Sequence, residues 1–174
     1  MPEEGLRERA ARDQAPYLEW AEQGLVIPTP GPVIDHRAVE AMIRRLAAAF
    51  DVQAVGFDRT FANRMMLDLQ EAGLLVIEVR QGWVSQVPSV ERLERIVRSR
   101  RLHHGGNTAL RWMVENVAVK PAAEGKMLRK KDRISRIDAV AALWMAPFWE
   151  MNQPPRYIPL YTDDVEGLLS VAVH

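Results

Sequence analysis

Val52–Val79, VQAVGFDRTFANRMMLDLQEAGLLVIEV, decides the fold. Val52 to Phe57 is a short apolar run that reads as a buried strand, with Asp58 at its C-terminal end. From about Phe61 to Ala72 the residues Met65, Met66 and Leu69 recur at helical spacing, and Gly73 supplies the cap. Leu74 to Val79 is the next apolar strand. Strand, helix and strand in this order give an α/β unit with a parallel pair. Before it, Asp35 is placed as the N-cap of an amphipathic helix carrying Val39, Met42, Ile43, Leu46, Ala47 and Phe50 on one face.

The flanks are read from there outward. Residues 3–24 form a polar helix anchored by Leu6, Tyr17 and Trp20 and ended by Gly24. Leu25 to Ile27 fits a short strand, and Pro28, Pro30, Gly31 and Pro32 force a turn. Downstream, Gln81 to Pro88 is a loop, and Ser89 caps a helix from Val90 to about Arg100. His103 to Asn107 is a turn, Thr108 to Glu115 a helix and Asn116 to Lys120 a strand. Ala122 to Ser135 is a mobile basic loop, and Ile137 to about Met151 a helix apolar on most sides and therefore buried. The expected architecture is α/β, a small mixed sheet flanked by helices. It divides into an N-terminal helical segment (1–24), a main domain (25–151) and a tail (152–174).

Composition narrows the function. The chain has 174 residues, 48% hydrophobic and 26% charged, enough for one globular domain with a core. Net charge is zero, which excludes an all-over basic surface but not a basic groove. There are no cysteines, so disulfides and thiolate metal sites are excluded. No apolar run reaches the ~18–20 residues that span a bilayer. No Gly-rich phosphate loop, nucleophile elbow or zinc-protease motif is present.

Two acids stand out. Asp58 lies at a strand end, where open α/β sheets build their sites; it also fits a plain helix cap. Asp138 follows a basic run in Lys126–Trp144, KMLRKKDRISRIDAVAALW, and opens an apolar helix. It fits an ion pair with Arg136 or Arg133, or a metal ligand facing Asp58. Converging carboxylates suit Mg²⁺ or Mn²⁺, which prefer oxygen ligands. Arg129, Lys130, Lys131 and Arg133 fit either a solvated loop or a track for a DNA backbone. His103 and His104 fit a turn, with a ligand or proton-shuttle role as the alternative. Trp112, Trp144 and Trp149 read as core.

Several segments, in order, carry a resemblance. They are Tyr17, Trp20, Gln23 and Gly24 with Thr29 and Gly31; Gly56 to Asp58 with Ala62 and Asn63; Gly73 through Gly82; His103 or His104 with Gly106 and Asn107; Leu110 to Trp112 with Asn116 and Val117; and Lys130 to Leu143. From about Pro16 to Ala146 the chain resembles the C-terminal nuclease domain of the tailed-phage terminase large subunit. The resemblance implies an RNase H-like fold that cuts concatemeric DNA with acids around two divalent ions. Asp58 and Asp138 match two of those acids, as catalytic metal ligands for Mg²⁺ or Mn²⁺, with His104 and Asn107 in supporting positions.

The family's first acid lies on a strand upstream of the Tyr17–Trp20 segment. The expectation is therefore an N-terminally truncated form lacking that strand and the ATPase domain. Its open sheet edge should be covered by the N-terminal helix or by oligomerisation. Implied partners are double-stranded DNA and a portal or small terminase subunit, in the cytoplasm of a bacterial host and away from membranes. The alternative is a prophage remnant that binds DNA or a partner without cutting.

Overall fold

The computed structural model describes residues 1–58 and 63–153, with the backbone alone at Asn63. Most of the expected C-terminal tail, from residue 154 on, lies outside the described residues, as do residues 59–62. The elements are α1 (Leu6–Asp13), α2 (Tyr17–Glu22), α3 (His36–Ala49), β1 (Val55–Phe57), α4 (Asn63–Glu71), β2 (Val76–Glu78), α5 (Trp83–Arg98), α6 (Thr108–Glu115), β3 (Val117–Ala122), β4 (Gly125–Lys130) and α7 (Asp138–Met151). Among the described residues no helix is long and apolar enough to cross a membrane.

The deciding stretch folds as its pattern requires. β1 and β2 pair in parallel, Val55 opposite Val76 and Phe57 opposite Glu78. α4 lays Met65 and Leu69 against Val76, and Gly73 ends it at φ 83, a left-handed turn that glycine adopts without strain. Asp35 caps α3, its carboxylate accepting from Arg37 N–H at 2.9 Å. α3 is amphipathic, yet none of its residues is fully buried, and Phe50 just beyond it is 67% exposed.

Several expectations are corrected. The N-terminal helix is two helices, because Gln14 turns to φ 50 and Pro16 bars continuation. Leu25 to Ile27 is not a strand; this stretch is tied instead by a Pro2–Thr29 bridge. α5 starts at Trp83 and runs through Pro88, since burial of Ser85, Gln86, Val87, Ser89 and Val90 offsets the helix bond that proline removes. The basic loop is a strand: β4 pairs antiparallel with β3, Val117 opposite Lys130, across a two-residue turn. Among the described residues the strands form two separate two-stranded sheets rather than one mixed sheet.

β4 is held from both sides. Lys126 pairs with Glu94 at 2.9 Å, Gln86 donates to the Leu128 carbonyl at 3.3 Å, and Leu128 packs on the Trp144 cluster. Gly125 has no room for a side chain, because a Cβ there would stand 2.6 Å from Val87 Cγ1. Gly125→Ala should therefore cost about 1–3 kcal/mol through forced repacking of α5, readable as a lower urea midpoint.

The N-terminal helices do not serve as a cover for the parallel strands. They build a core of their own with α6, from Leu6, Ala15, Tyr17, Trp20 and Ala109. Tyr17, Trp20 and Trp112 meet edge to face with centroids 5.6–6.2 Å apart. β1 itself is three residues long, too short to leave an extended bare edge.

α7 is likewise not buried all round. Val140, Trp144 and Pro147 face the core, while Asp138, Ala142, Ala146 and Glu150, four residues apart, form an exposed stripe. Alanine occupies two of the stripe's four positions, which explains why the sequence looks apolar on every side.

Candidate functional site

A groove of about 630 Å³ runs between α3, the C-terminal ends of β1 and β2, and the exposed stripe of α7. Asp58 and Asp138 both line it, although 80 positions separate them in the chain. β1 delivers Asp58 because the strand stops there; α7 delivers Asp138 because it is the helix's first residue. Gln81, just past β2, joins them. Its amide N–H₂ donates to Met145 Sδ at 3.4 Å, which leaves the carbonyl oxygen for another partner. The remaining walls are apolar, among them Ile43, Val55, Ile77, Ala142 and Trp149.

Asp138 is exposed and sits where the helix dipole favours an anion. Neither of the expected ion pairs forms. Arg136 reaches away to Asp13, at 2.9 Å, and Arg133 makes no ion pair among the described residues. Asp58 is half-buried. Among the described residues no three His, Asp or Glu side chains gather as a metal-ligand cluster.

The basic run is divided among several duties. Lys126 is spent on Glu94, Arg136 on Asp13, and Lys131 Nζ on the Glu115 carbonyl. Arg129 and Lys130 lie exposed on β4 rather than in a loop, and Arg133 is exposed beyond it. These three make no ion pair among the described residues, so their charge is available to an outside anion. His104 lines a different groove, of about 700 Å³, between α5, α6 and the β3–β4 hairpin. Asn107 caps α6, accepting from Leu110 N–H at 2.9 Å. Neither residue lines the groove of the two acids. Trp144 is core, Trp112 joins the N-terminal aromatic cluster, and Trp149 lines the groove at the far end of α7 from Asp138.

Two contributors were not legible as site residues. Gln81 looked like loop sequence. Asp13 looked like one more surface acid, yet its side chain is 1% exposed. It accepts from Arg12 Nε at 2.7 Å, Tyr17 OH at 3.0 Å and Arg136 Nε at 2.9 Å. Burial pushes its carboxyl up, but the hydrogen bonds from Arg12, Arg136 and Tyr17 win and hold it far below the ordinary range. The Tyr17 hydroxyl is pushed up to about 12 by burial and by its bond to Asp13. The one sequence signal was the i, i+4 spacing of Asp13 and Tyr17.

Comparison with known proteins shows the family of the chain. The family described as the terminase large subunit endonuclease domain matches residues 1–153. The terminase large subunit of Enterobacteria phage HK97 is 34% identical over 148 residues, covering 83% of this chain and 29% of that protein. Protein YmfN of Escherichia coli (strain K12) is 26% identical over 133 residues, covering 75% and 29%. The crystal structure of the HK97 bacteriophage large terminase matches with a TM-score of 0.76 and 32% identity, covering 86% of this chain and 32% of that one. The chain thus spans about three-tenths of the length of these relatives. It belongs to the terminase large subunit endonuclease-domain family.

Proposed function

We propose that this chain carries the fold and site of an RNase H-like, divalent-metal-dependent DNA endonuclease that cuts concatemeric DNA during genome packaging. The observation that supports the reading is that Asp58 and Asp138 line one open groove. The donor set fits the metal: two carboxylates and the Gln81 carbonyl are hard oxygen ligands of the kind Mg²⁺ and Mn²⁺ prefer. Mg²⁺ commonly keeps several waters and takes only one or two carboxylates. The described residues therefore suit one such ion, whereas a pair about 3.5–4 Å apart needs more bridging oxygens.

A bound divalent cation supplies polarisation of a phosphodiester oxygen and a more acidic bound water. The chain's residues do the rest. Asp58 and Asp138 would hold the cation, with the Gln81 carbonyl as a further oxygen donor. The apolar walls from α3 and α7 confine water around the two carboxylates. Arg129, Lys130, Lys131 and Arg133 neutralise backbone phosphates; Lys131 keeps its charge because its partner is the neutral Glu115 carbonyl.

The direct test is nicking of supercoiled plasmid by the purified chain with Mn²⁺, against the same reaction in EDTA. Metal-dependent nicking supports the endonuclease. Binding without nicking supports the second reading, a DNA- or partner-binding module. That reading draws on the absence of a third gathered carboxylate among the described residues. Salt dependence checks the basic track under either reading. Arg129→Ala, Lys130→Ala and Arg133→Ala should each reduce the slope of log K against log salt by about 0.9, the value per phosphate contact on duplex DNA. Lys126→Ala should leave the slope unchanged, since its ammonium is held by Glu94. Fluorescence anisotropy with a labelled duplex reads both.

A further inference from the structure

The buried Asp13 network ends two residues short of Asp138, and nothing in the proposed chemistry uses it. Asp13 closes α1, and its carboxylate takes both Arg136 Nε at 2.9 Å and an Arg136 terminal nitrogen at 3.2 Å. Arg136 leads directly into α7, whose N-cap, Ile137, offers no side-chain cap. The lead-in is held by other means. Asp132 accepts from Ser135 N–H at 2.7 Å and Ser135 Oγ at 2.8 Å, and Ser135 is buried. Arg136 therefore stands on a fixed backbone with one choice left to it, the direction of its guanidinium. Two carboxylates bear on that cation: Asp13, which binds it, and Asp138, two residues along the chain. Asp13 has it; Asp138 makes no ion pair among the described residues.

We infer that Asp13 is a positioning residue for Asp138: by holding the Arg136 guanidinium, it keeps that guanidinium off the Asp138 carboxylate and leaves the carboxylate open to a divalent cation. Resting on the metal-site reading above, this deepens it by naming what guards the ligand. A guanidinium that takes both oxygens of a carboxylate weakens it as a metal ligand, because it occupies lone pairs and offsets the charge that the cation needs. Tyr17 and Arg12 add two further donors to Asp13, which stabilise it as the anion that Arg136 prefers.

The experiment is a titration of the folded chain with Mn²⁺, reading free Mn²⁺ by electron paramagnetic resonance, with a circular dichroism melt for each variant. Asp13→Asn releases Arg136 and should weaken Mn²⁺ binding about tenfold, at the lower end of what losing an outer-shell partner costs at metal sites. Arg136→Gln removes the competitor and should bind Mn²⁺ within about twofold of wild type, and Asp13→Asn/Arg136→Gln should recover the same affinity, since there is then no cation to release. A simple structural brace predicts the opposite, that Arg136→Gln weakens binding as much as Asp13→Asn. That result overturns the inference, as does wild-type affinity in Asp13→Asn. If Asp13→Asn melts too low to titrate, Arg136→Lys replaces it, because an ammonium cannot make the two-bond contact with Asp13. Weaker Mn²⁺ binding is then expected, and wild-type affinity overturns the inference. Asp58→Ala separates the two levels. Undiminished Mn²⁺ binding there removes the metal site itself, whereas its loss beside an unchanged Asp13→Asn removes only the role of Asp13.

Discussion

Asp58→Asn and Asp138→Asn should each lower Mn²⁺-dependent plasmid nicking by at least about 100-fold, equivalent to roughly 2.7 kcal/mol of transition-state stabilisation. Each substitution keeps the shape of the side chain and removes one negative charge and one strong oxygen donor. With two carboxylates in the groove, either loss halves the anionic ligand set. An ion that keeps most of its waters has little else to hold it. For Asp138→Asn the effect should fall on chemistry and metal affinity rather than on folding. Asp138 is exposed at the first position of α7, so its amide should melt close to wild type. The contrast between lost nicking and a retained melting temperature distinguishes a ligand from a structural acid. Nicking preserved in both variants removes the proposed site.

The largest stability effect is expected at Trp144, the bulkiest fully buried side chain among the described residues. It joins Val79 and Val90 in a core that also draws in Leu93 from α5 and Leu128 from β4. Trp144 is thus where α7, α5, the end of the parallel pair and the hairpin meet. Trp144→Ala should cost about 3–5 kcal/mol, the usual range for emptying a large aromatic site. Against a total of about 5–15 kcal/mol for a native domain, that leaves a marginal fold. Urea unfolding should show the midpoint falling sharply, and Trp144→Phe, which keeps most of the volume, should recover much of the loss. An alanine variant as stable as wild type shows that α7 is not the central strut. Asp138 would then lose the rigid element that aims it.

The parallel pair and the helices beside it were legible because their apolar residues repeat with clean periods. Asp58 was legible as a strand-end acid and Asp138 as a helix-start acid, each from its local setting. That both line one groove fits the rule that α/β sites collect at strand ends. Other features lay beyond local pattern. β4 hides because Lys126, Arg129 and Lys130 overwhelm its apolar residues, of which Leu128 pins it to the core. The start of α5 hides behind Pro88, whose local cost is outweighed by tertiary burial. The turn at Gln14 needed more weight on Pro16 than an anchor-residue reading gave it. The Asp13–Arg136 contact spans 123 positions, and no spacing rule reaches that far. The aromatic core of α1, α2 and α6 is the reason the contact exists, because it carries Asp13 to the foot of α7.

The most direct measurement is an anomalous difference map from crystals of the chain soaked in Mn²⁺. The account predicts a peak in the groove between β1 and α7, with one carboxylate oxygen of Asp58 and one of Asp138 each about 2.0–2.2 Å away, the bond length of such hard cations to oxygen. It also predicts that Arg136 still lies on Asp13 in the loaded crystal. A peak touching only one of the two acids, a peak elsewhere, or no peak at saturating Mn²⁺ contradicts the central claim.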